Sequence, residues 1–516
     1  MTDEVTASAR VTLADVARAT GAELSGDSTA LVADVTYDSR QARAGWLFVA
    51  IRGERFDANR FVPEVMRQGA AGVVSELERP ADFAGAWLRV ADARAALAVA
   101  AAEVHRHPSH ELRLVGITGT NGKTTTAHLV AAVVEAAGEK VAVMGTVGYR
   151  IGDENFDAVH TTPEASEVQR FLRRAADAGC RVAVMESSSQ ALDLRRCDAL
   201  EVAVAVFTNL TQDHLDYHGT MENYFDAKRR LFDGRTGARP AASVVNADDP
   251  YGARLAGEIA RDGGRVLRYS PGAGVEGGAE VSAHEAAGAD VFAREVEFSL
   301  GGNTFELVAP AGTRRVRSPL VGRPHVYNAL AAAATGHALG YPLETIALAI
   351  ETCAGAPGRF ERVAHAGDFT VAVDYAHTDD ALRNVLSSAR DVAAPGARII
   401  AVFGCGGDRD RTKRAPMGEA AATYSDIVIL TSDNPRTEDP EAILRDAEVG
   451  LRRVGKPYLK FVERREAIRR AIREARTGDV VVIAGKGHET YQIIGAVSHH
   501  FDDREVAREA LAESGL

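Results

Sequence analysis

VGITGTNGKTTT, residues 115–126, sets the reading of everything around it. It continues the apolar run ELRLVGIT (111–118), which reads as a strand, and opens KTTTAHLVAAVVEAAG (123–138), which reads as a helix closed by Gly138. Between the two, Gly119, Thr120, Asn121 and Gly122 form a tight turn. Free backbone N–H groups at such a turn, with the positive end of the helix dipole, make an anion site. Lys123 is placed to reach outer phosphates, and the hydroxyl of Thr124, with Thr125 beside it, to meet magnesium. The spacing is not the strict G-x-x-x-x-G-K-T, because Ile117 stands where the first glycine would be. A Gly-rich turn without a ligand is the plain alternative. Loop, lysine and hydroxyls occur together in a strand-to-helix context, so we read a nucleotide-phosphate loop.

Strands of the same kind follow: KVAVMGT (140–146), RVAVMES (181–187), VAVAVFTN (202–209) and ASVVNAD (242–248). They are short, apolar and β-branched, and helical stretches separate several of them. That pattern predicts a mostly parallel sheet covered on both faces. Residues 264–318 differ: VFAREVEFSL and NTFELVAP alternate between Gly turns, which predicts an antiparallel subdomain, and a helix pair is expected at about 326–352. Upstream, LADVARATGAEL reads as an amphipathic helix and GWLFVAI and AAGVVSE as strands, until HRHPSH (105–110) breaks the pattern as a linker. From GAPGRFERV (355–363) onward, strand–helix alternation resumes with FTVAVDYA, ARIIAVFG, DIVILTSD and VVVIAGKG. There is no internal repeat.

The 516 residues suggest about three domains. The net charge of −12 argues against a nucleic-acid partner, which needs a basic face. Four cysteines, none in CxxC spacing, make neither a disulfide framework nor a zinc site. No leader-like apolar core opens the sequence, and no uncharged apolar run of about 18 residues predicts a membrane span. A cytoplasmic protein is the expectation.

GTNGKTTT closely resembles the ATP loop of the Mur ligases, which build the peptide stem of peptidoglycan. The resemblance runs in order along nearly the whole chain: YDSR (37–40), GWLFVAIRG (45–53), HTTPEA (160–165), ESSSQAL (186–192), NLTQDHLDYHG (209–219), AKRRLF (227–232), HVYNALAA (325–332), GRFERV (358–363), DYAHTDDAL (374–382), GCGGDRDRTKR (404–414), DNPR (433–436) and GKGHE (485–489). DNPR resembles the diaminopimelate-adding branch; lysine-adding relatives lack its arginine. The resemblance implies an α/β protein of three domains. A UDP-sugar-binding α/β domain would occupy 1–110 and a central ATP-binding domain with the P-loop and a mostly parallel sheet 111–354. A Rossmann-like amino-acid-binding domain would occupy 355–516. It further implies an ATP- and Mg2+-dependent ligase joining meso-diaminopimelate to UDP-N-acetylmuramoyl-L-alanyl-D-glutamate through an acyl phosphate, and acting as a monomer.

Roles carry over by the same resemblance. Lys123, Lys228, His214 and Glu186 are the catalytic candidates. Thr124, Glu186, His214 and Lys228, the last as a carbamate, are the magnesium candidates. Read alone, Lys228 is a helical surface lysine, and Glu186 is either a strand-end ligand or a carboxylate at a helix N-terminus. A zinc reading of His214, Asp216 and His218 has no thiolate or HExxH pattern behind it. For nucleotide the match points to residues 119–125 with Asn328, Arg359 and Asp374; the plain alternative for Arg359 is a domain-surface ion pair. For the UDP-sugar substrate it points to Ser39, Glu54, Arg55, Phe56, Thr161, Thr162, Ser188 and Arg196. His160 and Leu194 stand where the family often has Asn and Gln. For diaminopimelate it points to Arg409, Asp433, Asn434, Pro435, Arg436, Gly485 and Glu489. A guanidinium can grip the far carboxylate in a bidentate fork and Glu489 can pair with the far ammonium. By physics alone DNPR could be a plain Asn-Pro turn.

Overall fold

The computed structural model describes residues 11–53, 56–272 and 288–516. Three large sheets and a two-stranded one succeed one another along the described residues. The first has five strands, β1 (Glu23–Ser25), β2 (Asp34–Thr36), β3 (Trp46–Val49), β4 (Gly72–Ser75) and β5 (Trp87–Arg89), in the order β1-β5-β4-β3-β2. The helix before it, Leu13–Thr20, is shorter than the run LADVARATGAEL suggested. Gly21 takes the left-handed conformation (φ 67°) and ends it, so Glu23–Ser25 becomes an edge strand.

The second sheet has eleven strands. Its middle is parallel, in the order β13 (Val266–Ser270), β12 (Ala242–Asn246), β11 (Val204–Phe207), β6 (Arg113–Thr118), β10 (Val182–Glu186) and β7 (Val141–Met144). At one edge β8 (Tyr149–Ile151) and β9 (Glu154–Phe156) are antiparallel. At the other, β14 (Val291–Ser299), β15 (Gly302–Ala309) and β16 (Gly312–Ser318) form a meander. The expected antiparallel subdomain is therefore no separate body: β14 pairs in parallel with β13 and extends the same sheet. The helix pair is present as Arg323–Ala338 and Leu343–Thr352. Val115 and Ile117 of β6 join the apolar cluster under these helices and under Lys123–Ala136, whereas Leu114 joins the cluster on the opposite face. That alternation is the period-two pleat of a strand buried on both sides.

The third sheet has the order β17 (Glu361–Arg362), β18 (Thr370–Asp374), β22 (Val480–Ala484), β19 (Ile399–Phe403), β20 (Ile427–Thr431) and β21 (Tyr458–Phe461), parallel except for β17. A hairpin, β23 (Tyr491–Ile494) and β24 (Val497–His500), follows it. In open parallel sheets ligands gather beyond the carboxyl ends of the strands. Several candidates sit there: Gly119–Gly122 follow β6, Glu186 closes β10, Asp374 closes β18, Asp433–Arg436 follow β20 and Gly485 follows β22.

Candidate active site

The loop after β6 turns on two glycines that sterics require. Gly119 has φ 149° and a Cβ there would collide with Thr208 Oγ1; Gly122 has φ 85° and its Cβ would lie 2.5 Å from Asn328 Oδ1. Asn209, after β11, braces the loop by accepting Thr120 N–H at 2.8 Å on its carbonyl and Asn121 N–H at 2.9 Å on its side chain. Thr125 is buried in the first turn of the helix that follows. Lys123 folds back, and its Nζ donates to the carbonyls of Gly119 (3.0 Å) and Thr120 (2.8 Å). Lys228 reaches the Gly119 carbonyl too, at 2.8 Å, from the helix Met221–Arg229.

Lys228 is not the surface residue that AKRR suggests. Its side chain is buried, with Nζ 4.5 Å from the ring centre of Tyr224. Burial and the neighbouring Lys123 ammonium push its amine well below the usual lysine range. Two amines on one carbonyl oxygen cannot both stay protonated cheaply, and the buried Lys228 gives up its proton more readily than a free lysine.

Glu186 closes β10 and is buried. Its Oε2 accepts Thr124 Oγ1 at 3.0 Å, and its Oε1 accepts Thr146 N–H at 2.9 Å. Thr146 Oγ1 lies 3.2 Å from Glu186 Oε2 and 3.0 Å from Thr161 Oγ1. Gly145 has no room for a side chain, since a Cβ would strike Glu186 Oε1. Sequence reading missed Gly145 and Thr146; the available signal was a Gly-Thr pair at the carboxyl end of a parallel strand. His214 sits at φ 51°, at the start of the short helix Leu215–His218. Burial lowers its imidazole to about 4 despite Asp213, and Lys123, Lys413 and Lys228 add to the shift. His214 is therefore neutral at ordinary pH. His218 is engaged elsewhere, with Nε2 2.9 Å from Ser189 Oγ. Burial raises Asp213, but His214 and Lys413 outweigh it and hold the carboxyl near 2. The Lys413 Nζ is 2.5 Å from Asp213 Oδ1. Lys413 lies in GCGGDRDRTKR, and its part here was also missed.

Arg359 enters the same cleft from the loop before β17. Its Nη2 lies 3.5 Å from Thr124 Oγ1 and its guanidinium stacks 4.6 Å over Tyr375, so it is no surface ion pair. Asp374 holds that loop: its carboxylate accepts Phe360 N–H at 2.7 Å and Ala376 N–H at 2.8 Å. Asp380, unremarked in the sequence, accepts Asn121 Nδ2 at 2.8 Å and Thr211 Oγ1 at 3.0 Å. Asn328 is buried and its Oδ1 accepts Thr126 Oγ1 at 3.3 Å.

Four of the UDP-sugar candidates cluster beside Glu186. Thr162 Oγ1 donates to the Glu186 carbonyl at 2.6 Å and accepts Ser188 N–H at 3.1 Å. Arg196 donates to the Thr162 carbonyl at 3.0 Å and pairs with Glu164 at 2.9 Å. Thr161 joins through Thr146. Ser39 and Phe56 lie on loops of the first sheet, Ser39 buried and Phe56 59% exposed; Glu54 and Arg55 lie outside the described residues.

The amino-acid candidates gather beyond β20 and β22. Arg436 has φ 51° and donates to the Gly407 carbonyl at 2.8 Å. Gly407 abuts Pro435 so tightly that a Cβ would collide with the Pro435 carbonyl. Asn434 Nδ2 donates to Glu489 Oε2 at 3.0 Å. Burial and Asp433 push the Glu489 carboxyl up. Gly485 (φ 122°) leaves space next to Asp433 Oδ2. Arg409 is exposed and donates to the Asp408 carbonyl at 3.4 Å. So DNPR is a turn, as physics alone allowed, and its polar side chains converge with GKGHE.

The phosphate-type loop thus meets Arg359 and Asp380 of the C-terminal unit, whose own acid, amide and guanidinium groups gather beyond β20 and β22. Residues 117–336 match the Mur ligase middle domain, and residues 358–487 match the Mur ligase glutamate ligase domain. The UDP-N-acetylmuramoyl-L-alanyl-D-glutamate--2,6-diaminopimelate ligase of Geobacter metallireducens is 46% identical over 521 residues, covering 97% of this chain and 98% of its own. The enzyme of that name from Solibacter usitatus is 46% identical over 484 residues, 94% of each chain. A solved structure of an enzyme so named superposes with a TM-score of 0.70 at 34% identity, covering 98% of this chain and 100% of that one. Motif order, loop geometry and near-full-length likeness agree, and this chain belongs to the Mur ligase family.

Proposed function

We propose that this chain is an ATP-dependent amide-forming ligase that adds meso-diaminopimelate to UDP-N-acetylmuramoyl-L-alanyl-D-glutamate. The observation that carries it is the meeting of Thr124, Glu186 and Arg359 in one cleft, at 3.0 and 3.5 Å, with two lysines on the Gly119 carbonyl. The substrate carboxylate attacks the γ-phosphorus of ATP, the bond to ADP breaks, and an acyl phosphate results. The amine of the incoming amino acid attacks the acyl carbon, phosphate departs and the nitrogen loses a proton. The first step drives an anion onto an anion, so the residues must supply positive charge and fixed geometry. Lys123 supplies charge from the phosphate loop and Arg359 from the loop before β17. Thr161, Thr162, Ser188 and Arg196 hold the carboxylate-bearing substrate next to Glu186.

The donor set fits magnesium. Thr124 Oγ1 and the Glu186 carboxylate are hard oxygens within 3.0 Å of each other, and His214 is neutral in the same loop system. Bound there, the cation would neutralise phosphate charge. A neutral Lys228 amine can add carbon dioxide, forming an N–C bond and releasing a proton. The carbamate would answer the Lys123 ammonium with negative oxygen in place of repulsion. Isotopically labelled bicarbonate should give a carbamate carbonyl resonance in the wild type and none in Lys228→Ala.

We place the three functional units at 1–110, 111–354 and 355–516, working as a monomer in the cytoplasm. No helix among the described residues is long and apolar enough to cross a membrane. The deciding assay is phosphate release with ATP, magnesium and UDP-muramoyl-dipeptide, comparing meso-diaminopimelate, L-lysine and no amino acid. Release with diaminopimelate alone is expected. Equal release without an acceptor would make the protein a plain phosphotransferase, and coupling of lysine would change only the acceptor.

A further inference from the structure

Lys486 has no part in the chemistry above, yet its side chain is fully buried. It lies in AGKGHE between Gly485 (φ 122°) and Gly487 (φ 54°). A Cβ at Gly487 would sit 2.6 Å from Tyr375 Cβ and 2.7 Å from the Gly358 carbonyl, so the loop is pinned by backbone contact. A buried ammonium must be paired to be tolerated. Its Nζ donates to Asn434 Oδ1 at 2.9 Å and to the Tyr491 carbonyl at 2.7 Å, with Asp433 Oδ1 at 3.3 Å and Glu489 Oε2 at 3.8 Å.

The bond to Asn434 has a directional consequence. An amide accepts on one side and donates on the other. With Oδ1 taken by Lys486 and by Ile493 N–H at 3.0 Å, Nδ2 is turned onto Glu489 Oε2. Lys486 thus orients Glu489 without touching the ligand. Asp433 Oδ1 is buried and faces the same Lys486 ammonium at 3.3 Å, so one carboxylate oxygen is already answered inside the protein. There is a charge consequence as well. Asp433 and Glu489 alone would welcome any ammonium. The Lys486 ammonium offsets one of those charges, so a ligand gains most when it brings a carboxylate to Arg436 together with its ammonium.

We propose, on the acceptor reading given above, that Lys486 is a positioning residue that sets preference for an amino acid with a zwitterionic remote end over one ending in a bare ammonium. The test measures kcat and KM for meso-diaminopimelate and L-lysine, at saturating ATP and UDP-muramoyl-dipeptide, in wild type, Lys486→Met, Asn434→Ala and the double variant. Lys486→Met should raise KM for diaminopimelate about 10-fold or more and lower the diaminopimelate-to-lysine ratio of kcat/KM by at least that factor. KM for ATP and for the dipeptide should stay where they are, which a general structural defect would not allow. Asn434→Ala should lose the same selectivity, and the double variant should add little to either single change. If Lys486→Met fails to fold, Lys486→Gln takes its place, since it fills the buried site with a polar group but removes the ammonium that orients Asn434. A wild-type selectivity ratio in the folded variants, or a common rise in KM for all three substrates, overturns the proposal. Wild-type protein that does not couple diaminopimelate overturns the acceptor reading, and this role of Lys486 falls with it.

Discussion

A methyl group added at position 119 has nowhere to go. Thr208 Oγ1 fills that space and is itself committed to the Asn121 carbonyl at 2.6 Å. Gly119→Ala should therefore distort the phosphate loop, at an overpacking cost of about 1–3 kcal/mol. We expect ATP affinity, measured by titration calorimetry, to fall at least several-fold while the protein stays folded. Unchanged affinity would mean that the turn is slack. The same residue shows what sequence can reveal: glycine, lysine and hydroxyl spacing in one loop is local information, readable in a dozen letters. Asp380 was not readable, because its bond to Asn121 joins residues 259 apart in the chain. Lys486 and Thr146 escaped for the same reason, each acting through a partner that only the folded sheet brings near.

Among the secondary-structure elements, the helix Arg323–Ala338 carries unusual weight. It covers the parallel strands, abuts the helix Lys123–Ala136, and presents Asn328 to Gly122. Leu330 is fully buried on it. Leu330→Ala should cost about 2–5 kcal/mol by chemical denaturation, and a cost below 1 kcal/mol, as for a surface change, would contradict the packing. Most strands and helices were legible because apolar runs of β-branched residues leave few other options. The antiparallel strands expected within 264–318 are present, and their fusion with the main sheet went unforeseen for a physical reason. Hairpin alternation in β14 to β16 is a local signal, whereas the parallel pairing of β13 with β14 that fuses them to the main sheet leaves no local pattern.

Across the whole molecule, polar clusters join the three sheets. At the first joint Asp34, after its own strand pairing, accepts from His105 at 3.0 Å and from Arg170 at 2.8 Å, and Arg170 also stacks 5.3 Å over Trp46. Burial alone would raise the Asp34 carboxyl, but His105 and Arg170 hold it at about 2. A carboxyl lowered by folding stabilises fully above its ordinary value of 3.8 and stops doing so as pH falls through about 2. Acid titration should loosen this joint between those limits, and Asp34→Asn should remove that part of the pH dependence of unfolding. At the second joint Lys413 pairs with Asp213. Lys413→Ala strands a buried carboxylate next to His214, and kcat should drop about 10-fold or more. A wild-type kcat in that variant would show the pair to be ornamental.

Asp380 and Lys413 are lent by one half of the chain to loops of the other. Apolar packing crosses between the halves as well, since Val321, with Phe298 and Leu300 beside it, joins the cluster of the third sheet. A backbone clipped after Thr352 would give two fragments, neither of which carries the whole of that packing. They would be inert apart, because the clasp on the nucleotide turn belongs to neither piece by itself.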